Sequence, residues 1–175
     1  MISGERPKHL LSLVSIAGIL ALLSFALWPV FLTSLGREWG LSNTDIGFVS
    51  GAYFLGYLLA TPILVGLTDR IDARLIFLGG CGFGAVGCLG FALLAHDFWS
   101  AASCWALVGA GLAGTYMPGL QILNARLDDA ARVRSVPWYT ACFGIGTGGS
   151  FGLMGVLLAY ADWRLAAYLG AGGAM

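Results

Sequence analysis

Charge is what this sequence has least of. Nine basic and nine acidic side chains are spread over 175 residues, and they are confined to short gaps. Between the gaps run Leu10 to Leu35, Ile46 to Leu67, Leu75 to Ala95, Phe98 to Leu123, Val136 to Ala161 and a last stretch from Leu165 to Met175, and no Asp, Glu, Lys or Arg falls inside any of them. A helix on the surface of a water-soluble domain needs a polar face, so that class is excluded. A bilayer requires such runs, because about 20 apolar residues cross its hydrocarbon core. The net charge is zero, which offers nucleic acid no basic patch.

Other absences narrow the chemistry. Cys81, Cys88, Cys104 and Cys142 form no Cys-x-x-Cys pair. Cys81 and Cys88 share a helix face as small packing residues, and the spacing of a metal site is missing. His9 and His96 lie at opposite ends of their runs, so no nucleophile, base and acid meet at one depth. No metal, cofactor or enzymatic activity is expected. Arg6 and Lys8 precede the first run as in a signal peptide, and Ser24-Phe25-Ala26 imitates a cleavage site. The run is too long for a signal segment and continues past that point. Gly109 to Gly114 and Gly82 to Gly87 both fit a dinucleotide fingerprint, with Asp129 downstream of the first. Neither follows a strand, which that chemistry needs.

What is present is glycine, 27 residues, about twice the usual share. Gly144, Gly148 and Gly152 recur every four residues and are expected to make a close-packing face on the fifth span, as are Gly47 and Gly51 on the second. Pro29, Pro62 and Pro118 lie inside spans and free the carbonyls of Phe25, Leu58 and Gly114. Either hinges or static bends follow.

The basic residues alternate by gap. Arg6, Lys8, Arg70, Arg74, Arg126, Arg132 and Arg134 stand on one side, and Arg37 and Arg164 on the other. Seven against two places the N-terminus in the cytoplasm of the plasma (inner) membrane. Residues 1–9 are then a cytoplasmic tail and 10–175 a transmembrane bundle, an all-α polytopic membrane protein. The sixth run holds eleven residues, which rise only about 16 Å as a helix, so it reads as an incomplete span.

Between the second and third spans stands VGLTDRIDARL, Val65 to Leu75. It resembles the signature loop of the major facilitator superfamily, Gly-x-Leu-Ala-Asp-Arg-x-Gly-Arg-Arg or Lys. Leu67, Asp69, Arg70 and Arg74 match; Val65 and Asp72 stand where the pattern has glycine, and Ala73 replaces one basic residue. Pro62 before the loop, Gly109, Gly111, Gly114 and Pro118 in the fourth span, and Asp162-Trp163-Arg164 at the sixth run are similar to the family as well. The position of the family's fourth-helix arginine holds Trp105, and the fifth span lacks the Gly-Pro pair of the antiporters.

The resemblance implies the N-terminal six-helix half of a twelve-helix secondary transporter, cut within its sixth helix. That half would move a small solute by alternating access, with a coupling ion where transport is coupled. It implies a conformational latch at Asp69, Arg70 and Arg74 and a cavity lined by helices one, two, four and five. The polar and aromatic residues at mid-depth on those helices are Ser24, Trp28, Tyr53, Tyr57, Thr115, Tyr116, Cys142 and Thr147. Each needs a partner or a wet cavity in hydrocarbon; Gln121 lies nearer the cytoplasmic end. The expected partners are the solute, the lipid bilayer, and a missing C-terminal half or a second copy. A non-transporting fragment, acting as a structural or interaction module, stays open as the alternative.

Overall fold

The computed structural model describes residues 5–175, with side chains from residue 9 onward; Arg6 and Lys8, used above for orientation, have side chains outside that range. The chain forms α1 (Glu5–Ala21), a 3-10 turn (Leu22–Ser24), α2 (Leu27–Glu38), α3 (Asn43–Leu67), α4 (Ala73–Leu94), α5 (Phe98–Arg126), α6 (Asp129–Tyr160) and α7 (Trp163–Ala174). Five stretches are long and apolar enough to cross a bilayer: His9–Glu38, Asn43–Leu67, Ala73–Leu94, Phe98–Arg126 and Asp129–Tyr160.

The acidic residues of the gaps do local work. Ser42 and Asp45 form a reciprocal cap at the start of α3, and Asp97 and Ser100 do the same for α5. The Asp72 carboxylate accepts the Arg74 N–H at 2.9 Å to start α4, and Asp128 accepts that of Ala131 at 2.8 Å to start α6. Each cap satisfies an amide that the helix itself leaves unpaired. This is why α6 begins at Asp129, well before its apolar run.

The first span is broken where the sequence suggests continuity. Pro29 has no N–H to bond the Phe25 carbonyl, and its ring crowds that carbonyl, so a continuous helix cannot run through Phe25. The chain tightens, with Phe25 N–H bonding Leu22 C=O at 2.9 Å, and α2 restarts with Val30 N–H on Ala26 C=O at 3.0 Å.

Glycine sets the packing, although on other rows than the spacing suggested. A Cβ at Gly80 would meet the Gly114 backbone at 2.5 Å, and one at Gly111 would meet Gly84 N at 2.6 Å, so α4 and α5 touch along their backbones. On the opposite side of α5, Gly109 lies against the Tyr53 carbonyl, and Gly56 of α3 against the Ala106 carbonyl. The row Gly144, Gly148 and Gly152 faces open space, as do Gly47 and Gly51. The expected close packing there is not found among the described residues. The reason is angular. The buried row of α6 is Tyr139, Cys142, Gly146, Ser150 and Met154, and a step of two residues turns a helix by about 200°. Two small-residue rows therefore run down opposite sides of α6, and the one holding Gly146, whose Cβ would meet Leu22 at 2.8 Å, is packed.

Two apolar clusters fill the bundle. One, at the end carrying Trp39 and Trp163, joins Trp28, Phe31, Phe91, Trp105 and Met154; the other, at the end carrying Arg126, joins Val14, Phe77, Leu123 and Tyr139. In the first, Trp28 donates to Ser50 Oγ at 2.8 Å and Trp163 to Glu38 Oε2 at 3.2 Å. Both indole N–H groups thus have partners.

Candidate functional site

Burial sorts the eight mid-depth residues. Ser24, Trp28, Tyr53, Thr115 and Cys142 are all at most 5% exposed, sealed inside this bundle. Ser24 packs where a Cβ at Gly170 of α7 would meet it at 2.9 Å. Trp28 is spent on Ser50, and the Thr115 hydroxyl bonds back to the carbonyls of Gly111 and Leu112, both at 3.2 Å. Tyr57, Tyr116 and Thr147 keep part of their surface open. Thr147 nevertheless gives its proton to the Phe143 carbonyl at 2.9 Å.

The open surface at mid-depth is built by rings that sequence reasoning passed over. Phe25, at the break in the first span, meets Tyr53, Phe143 and Phe151 edge-on at centroid distances of 5.6, 6.5 and 6.3 Å. Tyr116 meets Phe143 at 5.1 Å and stacks on Tyr139 at 6.0 Å. A search restricted to polar groups misses phenylalanine. The break at Phe25 was signalled by Pro29 four residues on, the residue whose missing N–H frees the Phe25 carbonyl.

Tyr139 was missed because its position lies near the start of the fifth apolar run. Its ring fits between Gly18 of α1 and Gly119 of α5, and its hydroxyl donates to the carbonyls of Thr115 at 3.3 Å and Tyr116 at 3.4 Å. Two small cavities of about 10 Å³ each adjoin this region. They share Leu22, Leu112 and Thr115 as lining.

The loop from Thr68 to Asp72 borders a polar cleft of about 550 Å³ together with Gln121, Asn124 and Arg126 of α5. Asp69, Arg70 and Arg74 are exposed, and none of them makes an ion pair among the described residues. The pair that forms is Asp72 with Arg126 at 3.4 Å. Asp72, a departure from the family's loop pattern, therefore caps α4 and ties the loop to α5. Both partners are partly exposed, so the pair contributes no more than about 1 kcal/mol.

Six helical segments beyond the first, a capped Asp-Arg loop and a glycine-locked fourth span form one pattern, and it has a counterpart. Residues 13–175 match the Major Facilitator Superfamily. The chain belongs to that superfamily. Two relatives from Arabidopsis thaliana are the "Probable sphingolipid transporter spinster homolog 1", 28% identical over 153 residues, and "homolog 2", 30% identical over 142 residues. The alignments cover 78% and 74% of this chain but 28% and 26% of the relatives, so the chain spans little more than a quarter of their length. It is a multi-pass membrane protein, all-helical among its described residues.

Proposed function

We propose that this chain is the N-terminal half of a secondary transporter that carries a small amphipathic solute by alternating access. The match to the superfamily across residues 13–175 carries the reading. The wall at Phe25, Tyr116, Phe143 and Phe151 supports the solute class, since it is aromatic and uncharged and suits a hydrocarbon chain or ring better than a strongly charged group. The two relatives, named as sphingolipid transporters, point the same way. Any coupling ion would be held outside this half, whose spans contain no Asp, Glu, Lys or Arg at mid-depth.

The open glycine rows of α3 and α6 are the proposed seat of the partner, either a C-terminal half or a second copy. Small residues let another helix approach closely. The N-terminus and the loops at residues 69–74 and 126–134 face the cytoplasm of the plasma membrane in this reading. A cysteine placed at 72 on a background without native cysteines is then labelled only after the cells are opened.

Transport is tested with the full-length protein in liposomes and labelled sphingosine as the probe. Saturable uptake is expected, and none from residues 1–175 alone. Equal uptake by the two removes the half-transporter reading and favours a self-sufficient module.

A further inference from the structure

Five hydroxyls in this bundle return their proton to the backbone one turn back. Ser50 bonds to Ile46, Thr61 to Tyr57, Thr115 to Gly111, Thr140 to Val136 and Thr147 to Phe143. Ser15 on α1 does not. It is 4% exposed, and its Oγ is the one buried hydroxyl oxygen without a hydrogen-bond partner among the described residues. A hydroxyl left unpaired at membrane depth is costly.

Ser15 borders one of the two small cavities. The polar part of the lining is Ser15, Thr115, Tyr116, Tyr139 and Cys142. At about 10 Å³ the space is at the size where one water molecule fits, provided it finds two or more polar partners. The donors and acceptors decide what fits. Tyr139 spends its proton on the Thr115 and Tyr116 carbonyls, and Thr115 spends its own on Gly111 and Leu112. Their oxygens keep lone pairs. The Ser15 O–H is uncommitted. A guest must therefore donate to one of these oxygens and can accept from Ser15. An ammonium group cannot accept and would have no carboxylate beside it in the spans; a carboxylate cannot donate and would have no cation. A neutral hydroxyl does both.

We infer that Ser15, Thr115 and Tyr139 form a binding niche for a single neutral hydroxyl group, either that of a water molecule or an alcohol of the carried solute. Tyr116, partly exposed and stacked on Tyr139, and Phe143 belong both to the lining of the niche and to the aromatic wall. The solute arm of this inference rests on the transport reading above; the water arm does not.

The test uses the full-length protein in lipid nanodiscs and three variants, Ser15→Ala, Tyr139→Phe and the pair together, with Ser15→Cys as a control that keeps the volume. With a hydroxyl bound, Ser15→Ala lowers the thermal midpoint by about 2 °C or more, and Ser15→Cys lowers it less. The double variant falls no further than the worse single one, because both lose the same guest. Ser15 and Tyr139 share no direct hydrogen bond, and a guest held by both is the expected source of this non-additivity. A midpoint that rises in Ser15→Ala, as deletion of an orphaned hydroxyl produces, or effects that simply add, overturns the niche. Uptake of sphingosine against its O-methylated form then identifies the source. A several-fold preference for the free alcohol that Ser15→Ala abolishes assigns the niche to the solute, whereas equal uptake in both proteins assigns it to water. Absence of all uptake refutes the transport reading and leaves the midpoint result standing.

Discussion

The backbone N–H of Ala26 has its acceptor 124 residues away, in the hydroxyl of Ser150 at 2.9 Å. The same hydroxyl donates to the Leu23 carbonyl at 2.7 Å. One fully buried side chain on α6 thus closes the gap in hydrogen bonding that the break between α1 and α2 opens. Non-helical backbone at membrane depth survives only when protein groups satisfy it. It also joins α6 to the first span at the residue pair flanking Phe25.

Ser150→Ala removes both bonds and leaves two buried backbone groups unpaired. The expected loss is about 1–3 kcal/mol for each group left orphaned, read as a lower thermal midpoint in nanodiscs. Thr147→Ala, one turn earlier on α6, removes only a hydroxyl bonded to its own helix and should shift the midpoint far less. Equal shifts in the two variants would show that the break finds its partners elsewhere.

The glycine rows make opposite predictions on one helix pair and another. A Cβ at Gly114 would lie 2.6 Å from the Gly80 Cα, where only backbone could give way. Gly114→Ala therefore lowers the midpoint by several degrees. At Gly148 nothing stands within 4 Å, and alanine is better than glycine inside a helix by about 1 kcal/mol. In residues 1–175 expressed alone, Gly148→Ala should be neutral or stabilising. In the full-length protein the sign should reverse, because the partner proposed for that row needs the same space. The same sign in both would mean that lipid, not protein, covers α6 there.

Much of this architecture was legible because hydrocarbon imposes it. Runs without charge mark spans, whereas the caps at Ser42, Asp97 and Asp128 emerged only with the fold. The packing rows were not legible. Spacing by four identifies a face of α6 but not which way it turns, and Gly146 with Ser150 lies on one side while Gly148 lies on the other. The wall at Phe25 and Phe143 was hidden for a different reason. A phenylalanine in an apolar run carries no signal of its own until the break at Leu22–Ala26 presents it. The loop showed a third kind of limit: Asp72 reads as a lost glycine, and only the fold shows its carboxylate reaching Arg126.

The helix caps carry a pH dependence. Asp45 is held below the ordinary aspartate range first by the Ser42 hydroxyl and then by the Ser42 N–H; Asp97 is lowered first by the Ser100 hydroxyl and then by its N–H. A depressed folded value means that the cap's contribution is fully present above the unfolded aspartate value, about 3.9, and is lost as pH falls through the lowered one. The starts of α3 and α5 should therefore be insensitive to pH from 5 to 8 and fray only under stronger acid. Carboxyl carbon NMR titrations of Asp45 and Asp97 should give midpoints below that of an aspartate in an unfolded peptide. Midpoints at or above that reference would mean that these caps are not formed.

Asp69 is the remaining test, because its carboxylate has no ion-pair partner among the described residues. If Asp69, with Arg70 and Arg74, is a conformational latch, its partner belongs to another state or to the other half. Asp69→Asn keeps shape and hydrogen bonding and deletes the charge. The thermal midpoint of residues 1–175 should not move, since no side-chain bond among the described residues is lost. In the full-length protein, transport or the balance between inward-open and outward-open forms should shift about fivefold, the effect of about 1 kcal/mol on a two-state equilibrium. Asp72→Asn is the contrasting case: asparagine still caps α4, and only the half-exposed pair with Arg126 is lost. It should lower the midpoint slightly and leave the balance between forms near its original value. Unchanged transport and unchanged balance in Asp69→Asn would remove the latch. A shift produced by Asp72→Asn and not by Asp69→Asn would transfer the role to the loop's bond with α5.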